Sequence, residues 1–408
     1  MNGPQSRGPW PRRRGAALAW LARESVRERF IDHVFARTCA LLGEDGVPVA
    51  RATLHLHTLH PQLAGATLRW RHGRRDAEIV FHERGVFETD EYRHSPIRPL
   101  VEGDAERIRF RLDRETVDFA VLRALAEEGF TDYVGFALTF TDGRRHAATF
   151  ATRVADGFTD AQLADLADIL PLLAMAVEIR LQRRIARNLL ATYVGARAGE
   201  RILAGEIARG AGETIEAALW IFDLRGFTAL AQRLPLEELL ALANAAFDAV
   251  GEAIARHRGE ILKFMGDGLL AVWSFADSPD ACGWAFDAAV AALAAFDRTM
   301  DARRARGLPV ADAVVAVHAG RVLWGNIGTR SRLDFTVFGS DVAIAERLEE
   351  LAKRLGTRIL LSDRFVRGCR RAGALARPLG AYRLRGVEAP VAVSTLDPAA
   401  LARASRQQ

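Results

Sequence analysis

The sequence predicts an α+β protein of two domains joined by a long helix, and three observations carry that reading. In the first half, helical spacing of apolar residues brackets a series of short alternating strands. In the second, longer apolar runs end at glycine-marked turns that carry aspartates. Between them a leucine stripe stepping by three and four extends from Leu163 toward Tyr193.

Residues 1–23 are rich in Pro, Gly and Arg and read as a flexible basic tail. From Glu24 to Leu42 the positions Val26, Phe30, Val34 and Leu41 recur at near-helical spacing, and Gly43 with Asp45-Gly46 stops the helix. Strands follow over 52–58, 66–71 and 77–82, with His72-Gly73-Arg74 as the hairpin turn. Arg107 to Leu112 alternates strictly, which places Ile108, Phe110 and Leu112 on a core face and the arginines in water. A helix over 117–128 precedes a hairpin, 133–140 with 146–152, joined through Asp142-Gly143. This order resembles a small sensor module of the GAF kind spanning residues 24–160, on element order alone.

Eight of the ten histidines lie in this half, among them His55, His57 and His60. His55 and His57 share a strand face, a geometry that suits a metal or a proton switch. No Cys or carboxylate completes a ligand set nearby, which favours a solvated sheet face instead.

Thr159-Asp-Ala-Gln162 fits a capping box at the start of the long helix, and Pro171 inside it predicts a kink or a fresh start. From Glu178 to Asn188 one narrow apolar seam runs among arginines, which suits a parallel coiled coil passing a signal between domains. A stripe of this spacing also packs on its own domain. Gly195, Gly199, Gly205, Gly210 and Gly212 then break the chain, so 161–212 reads as signalling helix and linker and 213–408 as the second domain.

In that domain Ile215 to Phe222 is a strand, and Leu236 to Ile254 is an amphipathic helix ending at Gly259. Glu260 to Met265 and Leu269 to Trp273 form a hairpin across Gly266-Asp267-Gly268. A helix follows over 280–306, then strands over 310–318, 322–327 and 334–338, and a helix over 341–355.

Half of the chain is apolar and about a quarter charged, so it is globular, and its 408 residues allow two or three domains. The net charge of +5 is dispersed apart from Arg12, Arg13 and Arg14, and no basic run is interleaved with aromatics, which argues against nucleic acid. Cys39, Cys282 and Cys369 lie far apart without ligand spacing, as expected of reduced thiols in the cytoplasm. The longest apolar run, Ile169 to Val177, falls short of the roughly 18 residues of a membrane span. Ala16 to Ala22 has the basic flank of a secretion signal, but Arg23-Glu24 follows at once and makes it an amphipathic first helix.

Asp223 and Asp267 each leave an apolar strand at a glycine-marked turn, a placement that brings carboxylates within reach of a hard cation and that plain turn chemistry also uses. Their company is specific. Phe222-Asp-Leu-Arg-Gly-Phe-Thr228, Ile261-Leu-Lys-Phe-Met-Gly-Asp-Gly268, Val317-His-Ala-Gly320, Gly325-Asn-Ile-Gly328, Asp334-Phe-Thr-Val-Phe-Gly339 and Arg347-Leu-Glu349 stand in order. Together they resemble the catalytic domain of class III adenylate and guanylate cyclases, over roughly the last 195 residues.

The resemblance implies a ferredoxin-like fold with a mixed sheet and flanking helices. It implies two Mg²⁺ or Mn²⁺ ions held by Asp223, Asp267 and the Leu224 carbonyl, and ATP as substrate. The backbone of Arg225, Gly226, Phe227 and Thr228 would cradle phosphate oxygens, Arg347 would stabilise charge on the α-phosphate, and Arg332, or Arg330, would hold the terminal phosphates. Lys263 with Thr336 would choose the base, because an ammonium donates to the unprotonated N1 of adenine and opposes the protonated N1 of guanine. In the family the two sets of residues come from different chains, so a homodimer with two shared sites is implied. One position departs: where the family has an Asn that positions the ribose, this chain has Ala343. That departure supports a weak or silent nucleotide-binding homologue as an alternative, beside guanylate cyclase.

Overall fold

The computed structural model describes residues 15–58, 62–112, 118–397 and 401, so Arg12 to Arg14 and His60 lie outside the described residues. The chain divides into two compact units, Met1–Leu189 and Leu190–Gln408. Among the described residues no helix is long and apolar enough to cross a membrane.

The first unit begins with α1 (Ala16–Arg23) and α2 (Ile31–Glu44). Three strands follow, β1 (Arg51–His57), β2 (Leu63–Arg71) and β3 (Glu78–Glu83), then the short helices α3 (Asp90–Arg93) and α4 (Arg98–Val101). β4 (Arg107–Arg111), α5 (Ala120–Glu127), β5 (Asp132–Thr139), β6 (Arg145–Thr152) and α6 (Asp160–Val194) complete it. The strands form one sheet in the order β3-β2-β1-β6-β5-β4, antiparallel throughout. Leu54, Trp70, Phe136 and Phe150 on one face pack with Phe35 of α2 and Leu166, Leu173 and Val177 of α6.

Four expectations change here. The helix expected from Glu24 begins only at Ile31: residues 25–27 make a single 3₁₀ turn, where the Arg180 guanidinium donates to the carbonyl of Glu28, at 2.7 and 3.0 Å, and to that of Ser25. Of the arginines of β4 only Arg107 stands in water: Arg109 lies 2.8 Å from the fully buried Asp132, and Arg111 donates to the carbonyls of Ala155 and Asp156. The capping box is reciprocal, Thr159 N–H donating to Gln162 Oε1 at 3.0 Å and Gln162 N–H to Thr159 Oγ1 at 3.3 Å, but α6 then continues past Pro171 without a fresh start. Leu181 and Ile185 of the seam are buried in the unit's own core, and Glu178 accepts from the Thr141 N–H, so this seam is not free for a coiled coil.

The histidine face is not solvated either. Thr149 and Thr53 share a hydrogen bond at 2.6 Å, and Thr53 reaches His55 Nε2 at 2.9 Å. His55 Nδ1 lies 3.0 Å from Thr67, whose hydroxyl lies 2.8 Å from His82 Nε2. The result is a polar chain across β6, β1, β2 and β3. Burial first, then neighbouring cations, pushes His55 down to about 3, and burial with the neighbouring His57 pushes His146 down to about 4. Among the described residues no group of three or more His, Cys, Asp or Glu side chains is placed to hold a metal.

The second unit runs α7 (Ala196–Leu203), β7 (Gly212–Arg225), α8 (Phe227–Ala231), α9 (Leu236–Arg256), β8 (Glu260–Met265), β9 (Gly268–Ser274) and α10 (Ala281–Ala305). It continues with β10 (Asp312–Gly328), β11 (Leu333–Phe338), α11 (Ser340–Leu355), β12 (Ile359–Ser362), α12 (Asp363–Gly368), α13 (Arg370–Leu375), β13 (Arg377–Tyr382) and β14 (Val391–Thr395). The sheet order is β13-β14-β12-β10-β7-β9-β8, with β11 paired to β10, and it is mixed because β10 and β12 are parallel. Trp220, Phe222 and Trp273 pack with Leu242 and Val250 of α9 and Phe286 and Phe296 of α10. Val314 and Ala316 pack with Leu348 and Leu351 of α11. Helices on both faces explain why these strands read as unbroken apolar runs.

The strands expected over 310–318 and 322–327 are one strand, β10, and Gly320 pairs within it with Ala217 rather than making a turn. The glycine-rich stretch after α6 holds α7, whose Ala198 packs in a cluster with Ala217 and Leu219. All three cysteines are free and buried.

Candidate active site

β7 and β9 bring the two aspartates together. Asp223 stands opposite Gly268 in the antiparallel register, and the Leu224 N–H donates to the Asp267 carbonyl at 3.2 Å. A Cβ at position 268 would come within 2.6 Å of the Phe222 carbonyl and 3.3 Å of Asp223 Oδ2, so the close approach requires glycine. Gly226 takes a left-handed φ of 72° and turns the chain into α8, with the backbone of Phe227 and Thr228 at its start. The Arg225 side chain points back to the carbonyls of Ala352 and Thr357, where it clamps the end of α11.

Sequence reasoning missed two neighbours of Asp223. Lys353 Nζ lies 2.6 Å from Asp223 Oδ1 and 2.8 Å from Glu349 Oε1. One ammonium therefore serves two carboxylates. Burial raises the Asp223 carboxyl to about 6, and repulsion from Glu349 and Asp267 adds to it while Lys353 opposes it. Burial disfavours the Lys353 ammonium, but its contacts with Asp223 and Glu349 outweigh that and hold its pKa above the ordinary lysine value. The sequence signal was a Glu and a Lys four residues apart on one helix.

These oxygens fit a divalent cation. Carboxylate and carbonyl oxygens are hard donors, and Asp267 lies near enough to Asp223 to repel its charge. Asp223, Asp267 and the Leu224 carbonyl are the residues that could hold it.

Lys263, on the edge strand β8, lies 3.5 Å from Asp334 Oδ2. Asp334 and Thr336 are two residues apart on β11 and so share a face. Asp334 is a third residue the sequence reading did not single out. Thr336 is buried, and its hydroxyl has no hydrogen-bond partner.

Arg347 lies on α11, paired with Glu350 one turn on, while Ala343 is exposed in the first turn of the same helix. Arg332 is exposed in the β10–β11 turn, where its N–H donates to Thr329 Oγ1 at 3.0 Å. His318 and Asp341 fasten the start of α11: His318 Nε2 lies 3.0 Å from Asp341 Oδ1, and Nδ1 lies 2.8 Å from Ser362 Oγ. Ser362 is fully buried and accepts the Phe365 N–H, so this Ser-His-Asp set is a clamp without access to substrate. Gly320 makes room for Asp341, since a Cβ there would come within 2.3 Å of it. Asn326 donates to the Glu206 carbonyl at 2.7 Å and secures the segment leading into β7. Two of the quoted motifs therefore serve to hold the helix and strand that present the others.

Residues 212–394 match the model of the adenylate and guanylate cyclase catalytic domain. The second unit carries a cyclase catalytic domain of this class. The chain is 32% identical over 173 residues to adenylate cyclase 1 of Rhizobium meliloti, covering 42% of this chain and 26% of that protein. It is 33% identical over 218 residues to an uncharacterised protein of Mycobacterium tuberculosis, covering 52% of this chain and 36% of the relative. The chain thus spans well under half the length of these relatives. Among solved structures it is similar to the guanylyl cyclase Cya2, at 26% identity and a TM-score of 0.41, over 45% of this chain and 93% of that one. The cyclase domain brings Asp223 and Asp267 together on one side and Lys263 and Thr336 to β8 and β11.

Proposed function

We propose that the protein is a cytoplasmic adenylate cyclase that converts ATP to 3′,5′-cyclic AMP and pyrophosphate at sites shared by a homodimer. The observation that carries the choice of base is the pair Lys263 and Thr336: an ammonium at a sheet edge, and a buried hydroxyl left without a partner on β11, whose Asp334 lies 3.5 Å from that ammonium. The ammonium donates to adenine N1, the hydroxyl meets the adjoining edge of the base, and a guanine N1–H would face a cation. Asp334 holds Lys263 ready. Two relatives named as adenylate cyclases, from Rhizobium meliloti and Anabaena cylindrica, support the same choice.

Asp223, Asp267 and the Leu224 carbonyl would hold Mg²⁺ or Mn²⁺, which when bound lowers the pKa of the ribose 3′-hydroxyl and neutralises triphosphate charge. Backbone N–H groups of Phe227 and Thr228 face phosphate oxygens, and Arg332 binds the terminal phosphates. Arg347, released from Glu350, meets the charge that develops on the α-phosphate. Phe264 beside Lys263, Phe338 at the end of β11, and Leu236 and Leu240 on α9 are exposed apolar side chains of the kind a second copy would cover. The first unit, with its antiparallel sheet between helices, acts as a GAF-like sensor on this cyclase domain.

Ala343 favours a second reading, a weak or silent homologue, because it offers no donor to the ribose; Ser340, one turn earlier on α11, is the nearest substitute. Incubating the protein with Mg²⁺ or Mn²⁺ and either ATP or GTP, then separating products, tests the proposal. Cyclic AMP from ATP is expected, and cyclic GMP alone would overturn the choice of base. A343N is expected to raise the rate by up to about a hundredfold if the missing donor limits it.

A further inference from the structure

Of the 56 lysines and arginines in the sequence only two are lysines, Lys263 and Lys353. Arginine therefore serves at every other cationic position, whether exposed, paired or buried. Lys263 is the base-selecting candidate. The other lysine lies against the aspartate that would hold metal. A lysine ammonium is a compact charge on a flexible stem and makes no bidentate fork, so it gives up a carboxylate more readily than a guanidinium does.

The geometry points the same way. A purely structural ion pair needs one carboxylate, but Lys353 touches two, Asp223 at 2.6 Å and Glu349 at 2.8 Å. Glu349 sits one turn before Lys353 on α11 and is itself buried, so it can keep the ammonium when Asp223 is withdrawn from it. No movement of the helix is required. Two carboxylates around one ammonium still carry net negative charge. The Lys353 side chain is 38% exposed and has room to swing.

We propose that Lys353 is a resident counter-ion of the metal site. Its ammonium occupies the cation side of Asp223 in the metal-free protein and withdraws to Glu349 when a divalent cation binds. It is a positioning residue: it keeps the carboxylates from repelling each other before metal arrives, and it sets the metal concentration at which the site fills. This rests on the reading of Asp223 as a metal ligand.

The test is Mn²⁺ binding to the full chain, measured by the electron paramagnetic resonance of free Mn²⁺, beside melting of the metal-free protein. K353M should bind Mn²⁺ about tenfold more tightly, since one repelling charge is gone, and should melt at a lower temperature without metal. A merely structural ion pair would give the lower melting temperature without tighter binding. An Mn²⁺ affinity of K353M equal to or weaker than that of the unsubstituted protein would overturn the proposal. D223N separates the two claims: loss of Mn²⁺ binding supports the metal reading, and undiminished binding defeats that reading itself. A second measurement needs no substitution. Lysine labelled with ¹³C at Cε gives two side-chain resonances, and adding Mg²⁺ should shift that of Lys353; an unmoved resonance in a Mg²⁺-saturated protein would also overturn it.

Discussion

The two units treat buried polar groups in opposite ways. In the first, Thr149, Thr53, His55, Thr67 and His82 satisfy one another in a continuous chain, and Arg109 with the Phe158 N–H satisfies the buried Asp132. In the second, Thr336 Oγ1 is buried without a hydrogen-bond partner, and two carboxylates, Asp223 and Glu349, share the single ammonium of Lys353 at 2.6 and 2.8 Å. Leaving a buried polar atom unpaired costs about 1–3 kcal/mol, so the Thr336 hydroxyl needs an explanation. Satisfied polar groups hold a fold together, whereas an unpaired hydroxyl and two carboxylates sharing one cation leave capacity for a ligand.

The sharpest way to break this comparison is Asp223→Asn, which is expected to lower cyclic nucleotide formation by about a thousandfold or more through loss of charge at the metal site. An unaltered turnover rate would mean that Asp223 holds no catalytic metal. Next comes the double substitution K263E/T336C, which should move the ratio of kcat/KM for ATP over GTP toward GTP by at least about a hundredfold. Retention of the original ratio would place base choice elsewhere.

Two threonine substitutions test the contrast directly in urea unfolding. Thr53→Val interrupts the polar chain and should destabilise the first unit by about 1–3 kcal/mol. Thr336→Val removes a hydroxyl that has no partner, so stability should stay within about 0.5 kcal/mol while kcat/KM for ATP falls. Equal destabilisation by both would erase the distinction.

The last test is a pH dependence. His55 and His146 have folded pKa values of about 3 and about 4, below the ordinary 6.5, so the unfolded chain binds protons that the folded one refuses. Their contribution is complete above pH 6.5 and declines as the pH falls toward 4, by about 1.4 kcal/mol per pH unit for each imidazole. Calorimetric melting between pH 7.5 and 5 should show proton uptake on unfolding in this window. Absence of uptake would mean these imidazoles are not held neutral.

Local pattern and short motifs made much of this legible. Strands β1 to β3, the β5–β6 hairpin, the capping box at Thr159 and the α9 helix all follow from spacing and turn residues a few positions apart. Asp223, Asp267, Lys263 and Thr336 were readable because their motifs are contiguous. What stayed hidden depends on partners distant in sequence. Arg180 holds the non-helical segment before α2 from 152 residues away, through its bond to the Glu28 carbonyl. Gly320 looked like a turn because its reason, the approach of Asp341, lies on another element. Lys353 has no motif of its own within the helix over 341–355, and its role shows only where α11 lies beside β7.

By itself the sequence determined which residue types stand at each turn and strand end, and therefore the elements and the chemistry available to them. Only the tertiary structure decided which charges share a neighbourhood: that Lys353 stands between Asp223 and Glu349, that Asp334 holds Lys263, and that the histidines close into a chain. The reason is physical. Secondary structure follows from interactions a few residues long, whereas Coulomb forces and burial depend on distances that exist only after the chain has packed.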